Sequence, residues 1–145
     1  MTSSRILVVE DEALIAEDIQ RTLRRLGYDV PLVVATGRAA IAAAADSRPD
    51  LILMDIKLKG PMDGIEAATV IRRGHDTPVV FLTSHSDDAT LARAMATAPS
   101  GYLLKPFTDR ELRTAIEVAL NKHRLERRLA ERERWLSTIL QSIGD

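Results

Sequence analysis

The chain has 145 residues, a net charge of −1, 46% hydrophobic and 28% charged content, and no cysteine. That length suits one domain with an appendage, and the near-zero charge argues against a general binder of nucleic acid or membrane surfaces. Without cysteine there is no disulfide, thiolate metal site or thiol catalysis. Aromatics make up only 3%, so the core has to be aliphatic. The apolar run after Arg5 is too short for a signal-peptide core, and no run reaches transmembrane length. Cytoplasm is the expected compartment.

Strand-like and helix-like stretches alternate along the chain. Ile6–Val9 is an apolar run that stops at Glu10-Asp11-Glu12. Ala13 to Leu26 follows with helical apolar spacing, and Gly27 stops it. Val30–Ala35 is β-branched. Thr36-Gly37 opens an alanine-rich helix, Arg38 to Ala45. Leu51–Met54 is the central strand and ends at Asp55; a loop with Gly60, Pro61 and Gly64 precedes a helix from Ile65 to Arg73. Val79–Leu82 stops at Thr83-Ser84, and Asp87 to Ala98 is helical. Tyr102–Leu104 stops at Lys105-Pro106, and Thr108 or Asp109 caps a last helix. Such alternation predicts a parallel sheet with helices on both faces and right-handed crossovers. The continuous apolar runs predict strands buried on both sides.

Ligands gather beyond the carboxyl ends of strands in open parallel sheets. Four strand ends thus bring Glu10, Asp11 and Asp55, the Thr83 hydroxyl and the Lys105 ammonium to one edge. These groups suit the holding of a divalent cation and the transfer of a phosphoryl group onto a carboxylate. Taken singly, each has a plainer reading. An Asp after a strand is commonly a turn former, acids favour a helix N-terminus, and a Thr can be a cap. Their convergence favours a site. His75 and His123 are expected in solvent, and His85 as an ordinary loop residue.

With Ile6-Leu-Val-Val-Glu10-Asp11-Glu12, Leu53-Met54-Asp55, Thr83-Ser84 and Gly101-Tyr102-Leu-Leu-Lys105-Pro106-Phe107 in this order and spacing, the chain resembles the response-regulator receiver domain over roughly residues 4–121. The resemblance implies a flavodoxin-like (βα)5 fold, a doubly wound parallel sheet of strand order 2-1-3-4-5. It implies Asp55 as phosphoacceptor from a histidine kinase or phosphotransfer protein. It implies Mg²⁺ (or Mn²⁺) held by Asp11, Asp55, the Lys57 backbone carbonyl and, through water, Glu10. Lys105 would pair with the phosphoryl oxygens, Thr83 would donate its hydroxyl, and Tyr102 would be the aromatic switch. The Lys105-Pro106 bond is a cis candidate. A receiver catalyses its own phosphorylation and dephosphorylation, and a parent chain could be a histidine kinase. Clustered carboxylates also predict at least one raised pKa without metal.

This chain departs from the family pattern at two places. Glu10 stands where Asp is commoner. In the common pattern Pro follows the phosphoacceptor by four and Gly by eight; here Pro61 follows Asp55 by six and Gly64 by nine, so the loop is one residue longer and the conformation of Lys57 and Lys59 is open. Two other classes fit less well. A haloacid-dehalogenase-type phosphatase wants a second Asp where Lys57 stands. A flavin-binding module wants a phosphate cradle where Glu10-Asp11-Glu12 would repel one.

The last helix runs from Asp109 to about Ile143 without a stop signal. Positions 118, 122, 125, 129, 132, 136, 139 and 143 step alternately by four and three, a heptad seam with Lys122 and Arg132 as weak points. A solvated charged helix is the plainer reading. Residues 122–145 are expected to be a coiled-coil linker or homodimerisation segment. The ending, Glu133 to Asp145, resembles linkers that lead into PAS sensor and histidine-kinase modules. A stand-alone receiver, or one used for docking without phosphorylation, is the alternative.

Overall fold

The computed structural model describes residues 3–84 and 88–144. In chain order the elements are β1 (Arg5–Val9), α1 (Ala13–Arg25), β2 (Asp29–Val34), α2 (Gly37–Ser47), β3 (Leu51–Asp55), α3 (Gly64–Gly74), β4 (Val79–Thr83), α4 (Asp88–Ala96), β5 (Gly101–Leu104) and α5 (Asp109–Gly144). All strands pair in parallel, in the order β2-β1-β3-β4-β5. The expected architecture is therefore the one that forms. The predicted start of the fourth helix at Asp87, and the loop reading of His85, lie outside the described residues.

Side chains alternate across each strand, so one strand feeds two cores. Leu7, Val9, Ile52, Met54 and Phe81 pack with Ala40 and Ala44 of α2 and Ile65, Ala68 and Ile71 of α3. Ile6, Val8, Leu53, Val80 and Leu82 face Ile19 and Leu23 of α1 and Leu112, Ile116 and Ala119 of α5. Alanines on α2 let that helix approach the sheet closely. Helices thus cover both faces.

Two-sided burial holds for β1, β3 and β4 but fails at the sheet edges. Leu32 on β2 and Tyr102 and Leu104 on β5 are exposed. An edge strand has a neighbour on one side only, so Pro31, which has no N–H to give to a ladder, is tolerated on β2.

The helix ends follow local chemistry. Gly27 adopts φ +97° after α1, where a Cβ would be strained. Asp63 and Glu66 form a reciprocal capping box at α3. Thr108, rather than Asp109, caps α5: its hydroxyl accepts from the Glu111 N–H at 3.1 Å, and its own N–H donates back to Glu111 Oε1 at 3.1 Å. Asp109 pairs instead with Arg25 of α1.

At 36 residues α5 is about 54 Å long, far more than the sheet covers. The histidines correct the expectation of solvent exposure, since His75 and His123 are both half-buried. Where α5 passes the α3–β4 loop, His123 Nε2 lies 3.2 Å and Arg127 Nε 4.0 Å from Asp76 Oδ2. The helix thus passes close to that loop where it leaves the sheet. Beyond it Leu125, Leu129, Trp135, Leu136, Leu140 and Ile143 are all exposed. Among the described residues, no helix is long and apolar enough to cross a membrane.

Candidate functional site

The register of the three central strands decides what meets at their carboxyl ends. Val9 of β1 pairs with Met54 of β3, and Asp55 pairs with Leu82 of β4. Glu10, Asp55 and Thr83 are therefore carried one step past, or at, the last pairs of adjacent strands. All three are buried. Lys105 reaches the same place from β5, where its N–H donates to the Thr83 carbonyl at 2.8 Å. The Lys105-Pro106 peptide is cis.

The Lys105 ammonium donates to Glu10 Oε1 at 2.7 Å and to Asp55 Oδ2 at 3.0 Å. Oxygens of Glu10, Asp11 and Asp55 all lie within 4.8 Å of one another. Three carboxylates so placed offer hard oxygen ligands of the kind Mg²⁺ prefers. The donor set thus fits a divalent cation. Burial and the neighbouring Asp55 carboxyl push the Glu10 carboxyl up to about 7, more than Lys105 pulls it down. This is the raised pKa expected of clustered acids. Burial works to lower the Lys105 ammonium, but its pairing with Glu10 and Asp55 outweighs that and raises it.

The longer loop after Asp55 brings backbone, not lysine charge, to the acids. The Lys57 N–H donates to Asp55 Oδ1 at 3.2 Å, and the Lys59 N–H donates to Asp11 Oδ2 at 3.1 Å. Gly60 turns the chain at φ +100°. Gly64 then closes the loop, donating its N–H to the Ile56 carbonyl at 2.8 Å. A Cβ on Gly64 would fall 2.0 Å from the Asp55 carbonyl oxygen. Sequence reasoning missed Lys59 and Gly64 as site residues. The available signal was a glycine shortly after a strand-end carboxylate.

Thr83 and Tyr102 occupy the expected positions with particular orientations. The Thr83 hydroxyl donates to the Ser84 carbonyl at 2.8 Å rather than to Asp55. Tyr102 is about half exposed on the outer face of β5.

Residues 6–117 match the response regulator receiver domain model, and the chain belongs to that family. It is 38% identical over 120 residues to the transcriptional regulatory protein PdtaR of Mycobacterium tuberculosis, covering 83% of this chain and 58% of PdtaR. The chain spans between 51% and 58% of the length of the curated relatives it matches. Among solved structures, the signal receiver domain of a modulated diguanylate cyclase from Desulfovibrio desulfuricans G20 is 41% identical. It matches with a TM-score of 0.82, over 86% of this chain and 99% of that one. The N-terminal domain of a response regulator/sensory box/GGDEF three-domain protein from Carboxydothermus hydrogenoformans is 37% identical. It matches with a TM-score of 0.77, over 84% of this chain and 98% of that one.

Glu10 makes the site pH-sensitive. The folded chain keeps a proton that the unfolded chain loses above about pH 4.5. The metal-free protein therefore gains stability from Glu10 below that pH and loses it as pH rises to about 7. A cation bound among these acids would displace the same proton, so Mg²⁺ affinity should rise by up to about tenfold per pH unit between about pH 5 and 7 and then level off. Calorimetric titration across that range checks this. In Glu10→Gln the slope should flatten, and an unchanged slope would place the titrating group elsewhere.

Proposed function

We propose that this receiver accepts a phosphoryl group on Asp55 from the phosphohistidine of a histidine kinase or phosphotransfer protein. An Asp55 carboxylate oxygen attacks phosphorus, the P–N bond to the donor imidazole breaks, and the imidazole leaves. An acyl phosphate results. The observation that carries this reading is the Lys105 ammonium 3.0 Å from Asp55 Oδ2, at a strand end shared with two further acids. Phosphoryl transfer depends on positioning and charge neutralisation more than on covalent help. Lys105 supplies one neutralising charge and pairs with the phosphoryl oxygens.

Glu10, Asp11, Asp55 and the Lys57 carbonyl would hold Mg²⁺ or Mn²⁺, with Glu10 acting through water. The bound cation would offset the charge shared by the acids and the incoming phosphate. The hydroxyl of Thr83, now on the Ser84 carbonyl, would rotate to the phosphoryl oxygens. That leaves space on the β5 side for Tyr102 to turn inward, which alters the face made by α4, β5 and α5.

Residues 4–121 form the receiver in this reading, and 122–145 carry its state outward through a self-associating helix. The Carboxydothermus neighbour joins a comparable receiver to a sensory box by name, which supports a sensor-type output beyond the helix. Incubation with Mg²⁺ and a small-molecule phosphodonor tests the core of the proposal. Intact mass should rise by one phosphoryl group, and chelation of the metal should prevent it. A chain that stays unmodified with both the small donor and a phosphorylated histidine partner is not a phosphoacceptor.

A further inference from the structure

The second half of α5 is long, charged and uncovered, yet its exposed residues are not arranged at random. Val118, Leu125, Leu129, Leu136 and Ile143 are between 46% and 74% exposed. In heptad terms Val118, Leu125, Arg132 and Ile139 take position d, and Lys122, Leu129, Leu136 and Ile143 take position a. The flanking positions follow from that register. Asn121, Arg128 and Trp135 fall at g, and Glu126, Glu133 and Leu140 at e.

When two such helices run parallel and in register, each g residue faces the e residue of the partner's next heptad. Arg128 then meets Glu133 of the second copy, Trp135 meets Leu140, and Asn121 meets Glu126. Every flank is matched by chemistry: opposite charges, two apolar side chains, and an amide with a carboxylate. An antiparallel pair sets e against e instead, which brings the acidic Glu126 and Glu133 together.

The receiver leaves this face open. Leu112, Ile116, Ala119 and Leu120 are buried, and His123 and Arg127 lie against Asp76. At a helical rotation of about 100° per residue, those six centre about 140° around the helix from Val118, Lys122, Leu125 and Leu129. A second helix can lie along the seam with both receivers on the outside. Lys122 at a and Arg132 at d suit two strands, where long charged side chains still reach water. Arg132 also lies beside Glu133 of the second copy.

We propose that residues 118–143 form a parallel, in-register, two-stranded coiled coil with a second copy of this chain, its register set by Arg128 against Glu133 and Trp135 against Leu140. The proposal rests on the reading of α5 as a self-associating output, and adds its orientation and register.

The absence of cysteine makes the test direct, because Leu125→Cys introduces a single thiol into the full chain. Mild oxidation should link two copies through that d position, while Arg124→Cys, which points away from the seam, should stay unlinked. In an antiparallel pair the two Leu125 positions would be about 20 Å apart, beyond disulfide reach. By sedimentation equilibrium, Arg128→Glu or Glu133→Arg should raise the dimer Kd about tenfold, and the double swap should restore it. A dimer that neither links at Leu125→Cys nor recovers in the double swap overturns the proposal and leaves self-association standing. A three-chain mass overturns the strand number. A monomer with no crosslink overturns both, while phosphoryl uptake at Asp55 remains separately measurable.

Discussion

Asp55→Asn should reduce phosphoryl uptake from one group per chain to none while leaving the fold intact. The amide cannot form a stable acyl phosphate, and no other carboxylate in the site holds an equivalent position. Glu10 is committed to Lys105 at 2.7 Å and to the Asp11 N–H at 3.1 Å. Asp11 accepts from the Lys59 N–H at the rim. The substitution is nearly isosteric, and the Asn carbonyl can still accept from the Lys57 N–H. Lys105 keeps Glu10 as its partner. Removing one of three clustered acids also relieves repulsion, so the melting temperature should hold or rise. Loss of the Asp55 carboxylate takes away a cause that raises Glu10, whose proton should leave at lower pH. Intact mass after incubation with Mg²⁺ and a small phosphodonor, read beside the wild type, checks the first claim. Normal stoichiometry on the Asn variant would move the acceptor to another residue.

The parts of the site that were legible in the sequence are those carried by regular structure. Strands β1, β3 and β4 are buried on both faces, so they appear as unbroken apolar runs, and the residue that breaks each run marks the strand end. Glu10, Asp55 and Thr83 were found that way. The family resemblance supplied what runs cannot, such as the cis Lys105-Pro106 bond and the order of the strands. Edge strands were harder. Leu32 and Leu104 look as apolar as core residues, and only the position of β2 and β5 in the sheet explains their exposure.

Contacts between segments far apart in sequence were not legible. His123 looks like one more polar residue on a charged helix, and its neighbour Asp76 comes from a loop 47 positions earlier. Irregular backbone was the other blind spot. The loop after Asp55 has charged side chains that draw attention to Lys57 and Lys59, yet what reaches the acids is their N–H groups. Backbone donors carry no sequence signature, and the extra residue in the loop hid the role of Gly64.

That role leads to the second large effect. Gly64→Ala should destabilise the chain by about 3 kcal/mol, or about 10 °C in Tm, and should impair phosphoryl uptake as well. The new Cβ would meet the Asp55 carbonyl oxygen at 2.0 Å, the Asp55 carbonyl carbon at 2.9 Å and the Ile56 Cα at 3.0 Å. All three are backbone atoms of β3 and its exit, so no side chain can swing aside. Either α3 lifts from the sheet, breaking the Gly64–Ile56 hydrogen bond, or the Asp55 peptide moves. Both displace the Lys57 and Lys59 amides from the acids. Two other glycines separate this from a general effect of adding a methyl group. Gly60→Ala meets nothing within 4 Å but is strained at φ +100°, and should cost about 1 kcal/mol with uptake nearly unchanged. Gly74→Ala meets nothing, needs no unusual φ, and should be neutral or mildly stabilising at the end of α3. Thermal melts and phosphodonor mass shifts on the three variants should rank Gly64 well below Gly60 and Gly74 in both measurements. Wild-type melting and uptake in Gly64→Ala would mean that the loop does not close over the Asp55 backbone in this way.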